Sequence, residues 1–71
     1  MEAREEFRYQ TLARELADAM RAGALRVGDR VPSVRKLSRR HSVSISTAMQ
    51  ALRHLENQRL IEARPKSGFF V

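Results

Sequence analysis

The chain has 71 residues, a formal charge of +6 and no cysteine. That length allows one small domain, and with no cysteines and only two separated histidines neither disulfides nor a zinc site can stabilise it. No apolar run approaches the roughly 20 residues of a membrane span. The first six residues, from Met1 to Glu6, lack the pattern of a signal peptide, so we expect a cytoplasmic protein with no membrane partner.

The charge is unevenly distributed along the chain. Residues 1–24 carry four basic and five acidic groups, whereas residues 25–71 carry ten basic and three acidic groups. Because neutralising phosphates releases counterions, a basic segment of this kind favours a polyanion as partner. A basic surface that serves only solubility would have the same composition.

The first predicted element is an amphipathic helix from about Arg8 to Ala22. Gly23 follows it in the position of a left-handed cap, and the opposite face carries both signs of charge. We therefore interpret this helix as scaffold. The apolar residues that recur at helical spacing are Tyr9, Leu12, Ala13, Leu16, Ala17 and Met20.

Two further helices follow, joined by a turn so short that they must cross at a steep angle. A brief extended piece at Arg30-Val31 leads through Pro32 into the first of them, at about residues 34–41. Ser33 and Ser44 each stand just before an apolar-periodic run, where a serine hydroxyl caps the N–H groups of the first turn. This pattern predicts a helix-turn-helix.

The third helix divides into an apolar and a polar face. At 100° per residue, the residues expected to face the core are Ile45, Ala48, Leu52 and Leu55. The other face carries the short or hydrogen-bonding side chains that a helix in the major groove needs, although a merely solvated face would look alike. These are Ser46, Thr47, Gln50 and Arg53.

The second helix spreads basic residues over its outer arc, which would cross the DNA backbone. Arg35 lies in its first turn and is the best placed to meet a phosphate. Arg39 and Arg40 are equally compatible with solvation. We interpret His41, at the end of this helix, as a packing residue and not as a metal ligand or a base.

Two β-prone runs, residues 60–64 and 69–71, surround the turn Pro65–Gly68 and predict a hairpin. A hairpin directly after a recognition helix is typical of a winged helix. Lys66 and Ser67 at its tip would then meet phosphate while Gly68 allows close backbone approach; the alternative is a merely flexible turn. The prediction is an α+β fold, a small three-helix winged helix-turn-helix with a C-terminal β-hairpin wing, over residues 1–71.

Catalysis finds no support in the residue pattern. Thr47 and His54 share a helix face, but the helical rise separates them by about 10 Å along the axis, too far for proton abstraction. No paired carboxylates, phosphate-binding glycine loop or metal-ligand spacing is present. We expect no enzyme activity and no cofactor in this chain. The alternative to DNA binding is a winged-helix module for protein or RNA contacts, which the apolar Ile45 and Met49 would favour.

Four stretches make up one pattern when taken together: Leu25–Arg35, Val43–Thr47, Leu52–Glu56 and Leu60-Ile61. They resemble the N-terminal winged helix-turn-helix of the GntR family of bacterial transcription regulators, and the likeness runs from Tyr9 onward. The resemblance implies that double-stranded DNA is the partner. It also implies a homodimer for the full-length protein, with the isolated domain monomeric or weakly associating.

The ending from Leu60 to Val71 looks most like the MocR-type branch of that family. There a long linker joins this domain to a large domain similar to a fold-type I aminotransferase that binds pyridoxal phosphate. The resemblance thus implies that the chain is the N-terminal part of a longer regulator, with the cofactor bound outside it.

The resemblance implies that Arg35, Ser46, Thr47 and the wing tip contact DNA, because family members use the residues at the matching positions for this purpose. Joined with the helix face, the predicted DNA-binding set is Arg35, Ser44, Ser46, Thr47, Gln50, Arg53, Lys66, Ser67 and Gly68. Many members carry arginine where this chain has Ile45 and Met49, so the preferred operator should differ.

Arg59 also departs from the family pattern, because it replaces the glycine usual before the Leu60-Ile61 strand. If φ is positive there, the substitution costs about 1 kcal/mol.

Overall fold

The structure, a computed structural model, describes residues 2–71, with side chains described from residue 8 onward. Three helices are followed by a hairpin: α1 (Glu2–Arg21), α2 (Val34–His41), α3 (Ile45–Asn57), β1 (Glu62–Arg64) and β2 (Gly68–Phe70). This order confirms the predicted winged helix-turn-helix. The segment Met1–Glu6, judged above for a signal peptide, lies outside the described side chains. Within residues 2–71, no helix has the length and apolar character to cross a membrane.

The first helix begins at Glu2, earlier than the predicted Arg8, and its apolar face packs as predicted. Gly23 adopts the expected left-handed conformation, with φ at +83°. Its N–H donates to the Met20 carbonyl at 3.2 Å, and the Ala24 N–H donates to the Ala19 carbonyl at 2.9 Å. This pair of bonds is a Schellman motif, which satisfies the last carbonyls and ends α1.

The hydrophobic core lies where α3 packs against both α1 and α2. Helix α3 contributes the largest share of the core. Val31, in the extended piece before α2, and Ile61, just before β1, also contribute. Since both other helices pack against α3, the core fixes the rotation of that helix about its axis. The buried apolar residues are Leu12, Ala13, Leu16, Val31, Leu37, Ala48, Ala51, Leu52, Leu55 and Ile61.

The hairpin pairs β1 with β2 in antiparallel register, Ala63 opposite Phe69 and Arg64 opposite Gly68. The turn is one residue shorter than predicted, because Gly68 already belongs to β2. The extended piece before α2 is also confirmed: Arg30 pairs with Phe70, and the Val31 N–H donates to the Phe69 carbonyl at 2.8 Å. The wing is therefore anchored to the body of the domain along its second strand.

Candidate nucleic-acid interface

The start of α2 combines a serine cap with exposed cations. Ser33 Oγ accepts a hydrogen bond from the Lys36 N–H at 3.2 Å, and no acidic residue lies in this first turn. The N-terminus of a helix carries a partial positive charge, to which the neighbouring cations add. A shallow groove here therefore suits a phosphate. It is lined by Ser33, Arg35, Lys36, Arg39 and Arg40.

The outer face of α3 presents Ser46, Gln50 and Arg53, all exposed as predicted. Serine and glutamine can both donate and accept hydrogen bonds, and arginine offers a rigid fork of donors. These groups match base edges in the major groove and the adjacent phosphates. The first turn of α3 also lacks acidic residues, so no carboxylate at this end of the helix repels a phosphate.

The prediction that Thr47 lies on this outer face is wrong. Its side chain is 0% exposed, and its Oγ1 accepts a hydrogen bond from Ser44 Oγ at 2.9 Å. A buried hydroxyl is tolerated when it is hydrogen-bonded, and the threonine methyl adds apolar contact. Because this hydroxyl is turned away from solvent, we leave Thr47 out of the interface.

Ile45 departs from its prediction in the opposite sense. It was expected in the core, yet it is 49% exposed, while Met49 one turn later is half-buried. The inward positions of the first turn are taken by Thr47 and Ala48. The exposed face of α3 therefore has an apolar border beside its polar centre.

Ser44 is exposed at the start of α3, but its hydroxyl is engaged by its own helix. Ser44 Oγ accepts from the Thr47 N–H at 3.0 Å while donating to Thr47 Oγ1. The predicted N-cap is thus confirmed, and this bonding gives Ser44 a role in fixing where α3 begins.

The tip of the wing carries Lys66 and Ser67, both exposed as predicted. Lys66 has a positive φ of +64°, and the Ser67 N–H donates to the Arg64 carbonyl at 3.1 Å, which closes the turn. Gly68 is half-buried, with φ at +107°, a value that an L side chain rarely adopts. Glycine is thus required here by the backbone conformation.

Two arginines that the sequence did not single out shape the wing. The Arg64 guanidinium donates twice to Glu62 Oε1, at 3.2 and 2.9 Å, and lies 4.4 Å from the centre of the Phe70 ring. Arg30 lies against Gly68, where a Cβ would come within 3.3 Å of Arg30 Nε. The Arg64–Phe70 and Arg30–Gly68 contacts depend on how the strands pair, so no local sequence signal reveals them, whereas Arg64 and Glu62 are two apart on one strand.

Both histidines contact α1. His41 Nδ1 lies 3.1 Å from Glu15 Oε2, and the His54 ring meets Tyr9 edge-on with ring centres 5.8 Å apart. The packing role predicted for His41 is consistent with this contact, in which the His41 side chain is partly buried against α1. Among the side chains described, no group of three histidine or acidic residues is placed to hold a metal ion.

Comparison with known proteins returns one family. The model of the gntR family of bacterial regulatory proteins matches residues 8–71. The HTH-type transcriptional regulator YjiR of Escherichia coli K12 is 52% identical over 64 residues, which are 90% of this chain and 14% of YjiR. The HTH-type transcriptional regulator Rv1152 of Mycobacterium tuberculosis is 36% identical over 63 residues, which are 89% of this chain and 52% of Rv1152.

Among solved structures, the DNA-binding domain of AraR in complex with operator ORX1 is similar with a TM-score of 0.87. The match covers 90% of this chain and 77% of that one at 23% identity, so it establishes the fold alone.

Proposed function

We propose that this chain, which belongs to the GntR family of bacterial regulatory proteins and is a DNA-binding domain, binds duplex DNA through α3, the start of α2 and the wing. In this arrangement α3 enters the major groove with Ser46, Gln50 and Arg53 at base edges or nearby phosphates. Arg35 anchors α2 on the backbone. Lys66 and its neighbours at the tip reach the adjacent minor groove or backbone.

One observation carries this proposal: apart from Ile45 at its first position, the exposed residues in the first three turns of α3 are polar and either neutral or cationic. Ser46, Gln50 and Arg53 are exposed, whereas the acidic residue of the helix, Glu56, stands in its last turn. The N-terminal residues of a recognition helix are those that contact base edges. The N-terminal end of α3, which would enter the groove, therefore carries no acidic residue that would repel the phosphates.

The fold supports DNA as the partner. The AraR domain, similar in fold, was solved in complex with operator DNA. The cations at the start of α2 and at the wing tip then flank the recognition helix, as phosphate contacts that set the register of a protein on the duplex. Thr47 takes no part, because it is buried beneath the interface.

A matched pair of substitutions tests the proposal. Gln50→Glu places a carboxylate on the outer face of α3, and Gln10→Glu makes the same chemical change on the exposed surface of α1. We expect Gln50→Glu to weaken duplex binding at least about tenfold through repulsion by phosphates and bases. Gln10→Glu should change it less than about twofold, because its carboxylate would lie on α1, away from the proposed face, where salt screens it. Both variants have the same net charge, so a difference between them reports position.

Fluorescence anisotropy with a duplex selected from a random library measures both affinities. If both variants lost the same affinity for the duplex, net charge alone would explain the effect, and the proposed contact face would be contradicted. Preserved duplex binding in Gln50→Glu would mean that DNA does not contact the outer face of α3, and would contradict the proposed arrangement. A wild-type chain that binds no duplex would favour the alternative of a protein or RNA module.

For the whole protein, we propose a longer regulator of the MocR type, with this domain at its N-terminus. The supporting observation is that the chain spans only 14% of YjiR, which leaves a large remainder in that relative, and the motifs from Leu60 to Val71 resemble that branch. The remainder would resemble an aminotransferase, hold pyridoxal phosphate and pair two copies on two half-sites.

Mass spectrometry of the full-length protein after borohydride reduction tests the branch, and should find pyridoxal phosphate attached to a lysine. A full-length protein that takes up no pyridoxal phosphate would contradict the branch without affecting the DNA-binding proposal.

A further inference from the structure

Ile45 is an exposed apolar side chain at the leading end of the recognition helix. Ser44 caps α3, so Ile45 is its first residue, and 49% of it is accessible. Large hydrophobic residues are seldom exposed on this molecule: among the residues described, the other two are Val27 and Leu60, both in loops. Ile45 stands apart from these two because it lies on the proposed contact face.

A second apolar residue extends the same border. Met49 follows Ile45 by four positions, so the two side chains are neighbours on one side of the helix. Met49 is half-buried, and Leu52 beyond it belongs to the core. Helical spacing therefore gives Ile45 an apolar neighbour, and none of the residues in the first turn of α3 is charged.

An isoleucine can distinguish base pairs in the major groove by one feature only. It neither donates nor accepts hydrogen bonds, so it cannot pair with guanine, adenine or the cytosine amino group. The 5-methyl group of thymine is the apolar group that the groove exposes. Against cytosine, the same side chain would leave the exocyclic amino group desolvated without a partner, which is unfavourable.

We propose that Ile45, supported by Met49, is a specificity-determining residue that contacts the 5-methyl group of a thymine. The domain then selects an A·T pair at the position that the start of α3 faces. This inference rests on the proposed function, since it requires α3 to lie in the major groove.

Replacing single thymines by deoxyuridine tests the contact, because this removes the methyl group and leaves every hydrogen-bonding group of the base pair in place. The probe is a duplex that the chain itself selects from a random library. We expect one thymine at which the replacement weakens binding about fourfold, the effect of one buried methyl-sized group. In Ile45→Ala the same replacement should have no measurable effect.

Leu60→Ala is the matched control, because it removes a comparable exposed apolar side chain outside α3. It should keep the sensitivity to deoxyuridine, and circular dichroism verifies that both variants remain folded. Sensitivity that persists in Ile45→Ala, or a selected duplex with no sensitive thymine, would overturn the inference while duplex binding stands. A chain that selects no duplex at all would overturn the proposed function and this inference with it.

Discussion

Arg59 occupies a left-handed backbone position at the end of α3, with φ at +62°. Its N–H donates to the Glu56 carbonyl at 2.9 Å and the Leu60 N–H donates to the Leu55 carbonyl at 3.0 Å, the two bonds of a Schellman motif. Glycine usually fills this position of the motif. The observed φ of Arg59 confirms that it takes the left-handed conformation considered in the sequence analysis.

Arg59→Gly should therefore raise the free energy of unfolding by about 1 kcal/mol, because it relieves the left-handed strain. For a domain of this size the melting temperature should rise by roughly 4–8 °C. Thermal unfolding followed by circular dichroism measures the shift. Gln58→Gly is the control: Gln58 has φ at −82°, so glycine there only adds flexibility and should lower stability. A fall in stability for both variants would contradict the account.

At Gly68 a substitution meets a second obstacle besides φ, since a Cβ would lie 3.3 Å from Arg30 Nε and the flexible Arg30 side chain would have to shift slightly. Gly68→Ala should destabilise the domain by about 1–3 kcal/mol. Gly28→Ala is the matched control, because Gly28 has φ at +92° but nothing within 4 Å of its would-be Cβ. Urea unfolding should show the larger loss for Gly68→Ala, with part of the difference recovered in the Arg30→Ala background. If Gly68→Ala and Gly28→Ala lost the same free energy of unfolding, the contact with Arg30 would make no contribution.

Two serines at the start of α3 have different roles. Ser44 caps the helix and stabilises it, whereas Ser46 lies on the exposed face proposed to contact DNA. Ser44→Ala removes the cap and should cost about 1 kcal/mol of stability. Ser46→Ala, on the exposed face, should leave stability within about 0.5 kcal/mol and weaken duplex binding. Denaturation and anisotropy on the same two variants check this contrast. The assignment of Ser44 as a cap would be wrong if Ser44→Ala unfolded at the wild-type urea concentration.

The helices were predictable because their signals are local. Ser33 and Ser44 mark two starts, Gly23 marks one end, and the apolar spacing of α1 identifies its buried face. The rotation of α3 was not predictable in the same way. Its buried face is turned by about 50° from the predicted one at 100° per residue, which buries Thr47 and exposes Ile45.

That rotation is a tertiary property. Helix α3 packs against α1 and α2 at once, so its inward face is chosen by two partners and not by its own composition. Threonine can be buried because Ser44 supplies its hydrogen bond, a pairing that a helical wheel does not contain. The contacts of Arg30 with Gly68 and of Arg64 with Phe70 likewise follow from strand register.

For the whole molecule, the uneven charge predicts a salt-dependent interaction with DNA. Cations at the start of α2, on α3 and at the wing tip allow four to six phosphate contacts, so log K should fall with log salt at a slope of roughly −4 to −5. Anisotropy titrations at several salt concentrations give the slope. A slope near zero would contradict a phosphate-contacting surface.

The exposed face of α3, the start of α2 and the wing tip are proposed to act together as one DNA-binding surface. Amide chemical-shift mapping of the 71-residue chain on addition of duplex DNA tests whether they do. The largest shifts should fall at residues 33–36, along the exposed face of α3 and at residues 65–68, with little change on the outer face of α1. Shifts concentrated on α1, with α3 and the wing unaffected, would contradict the claim.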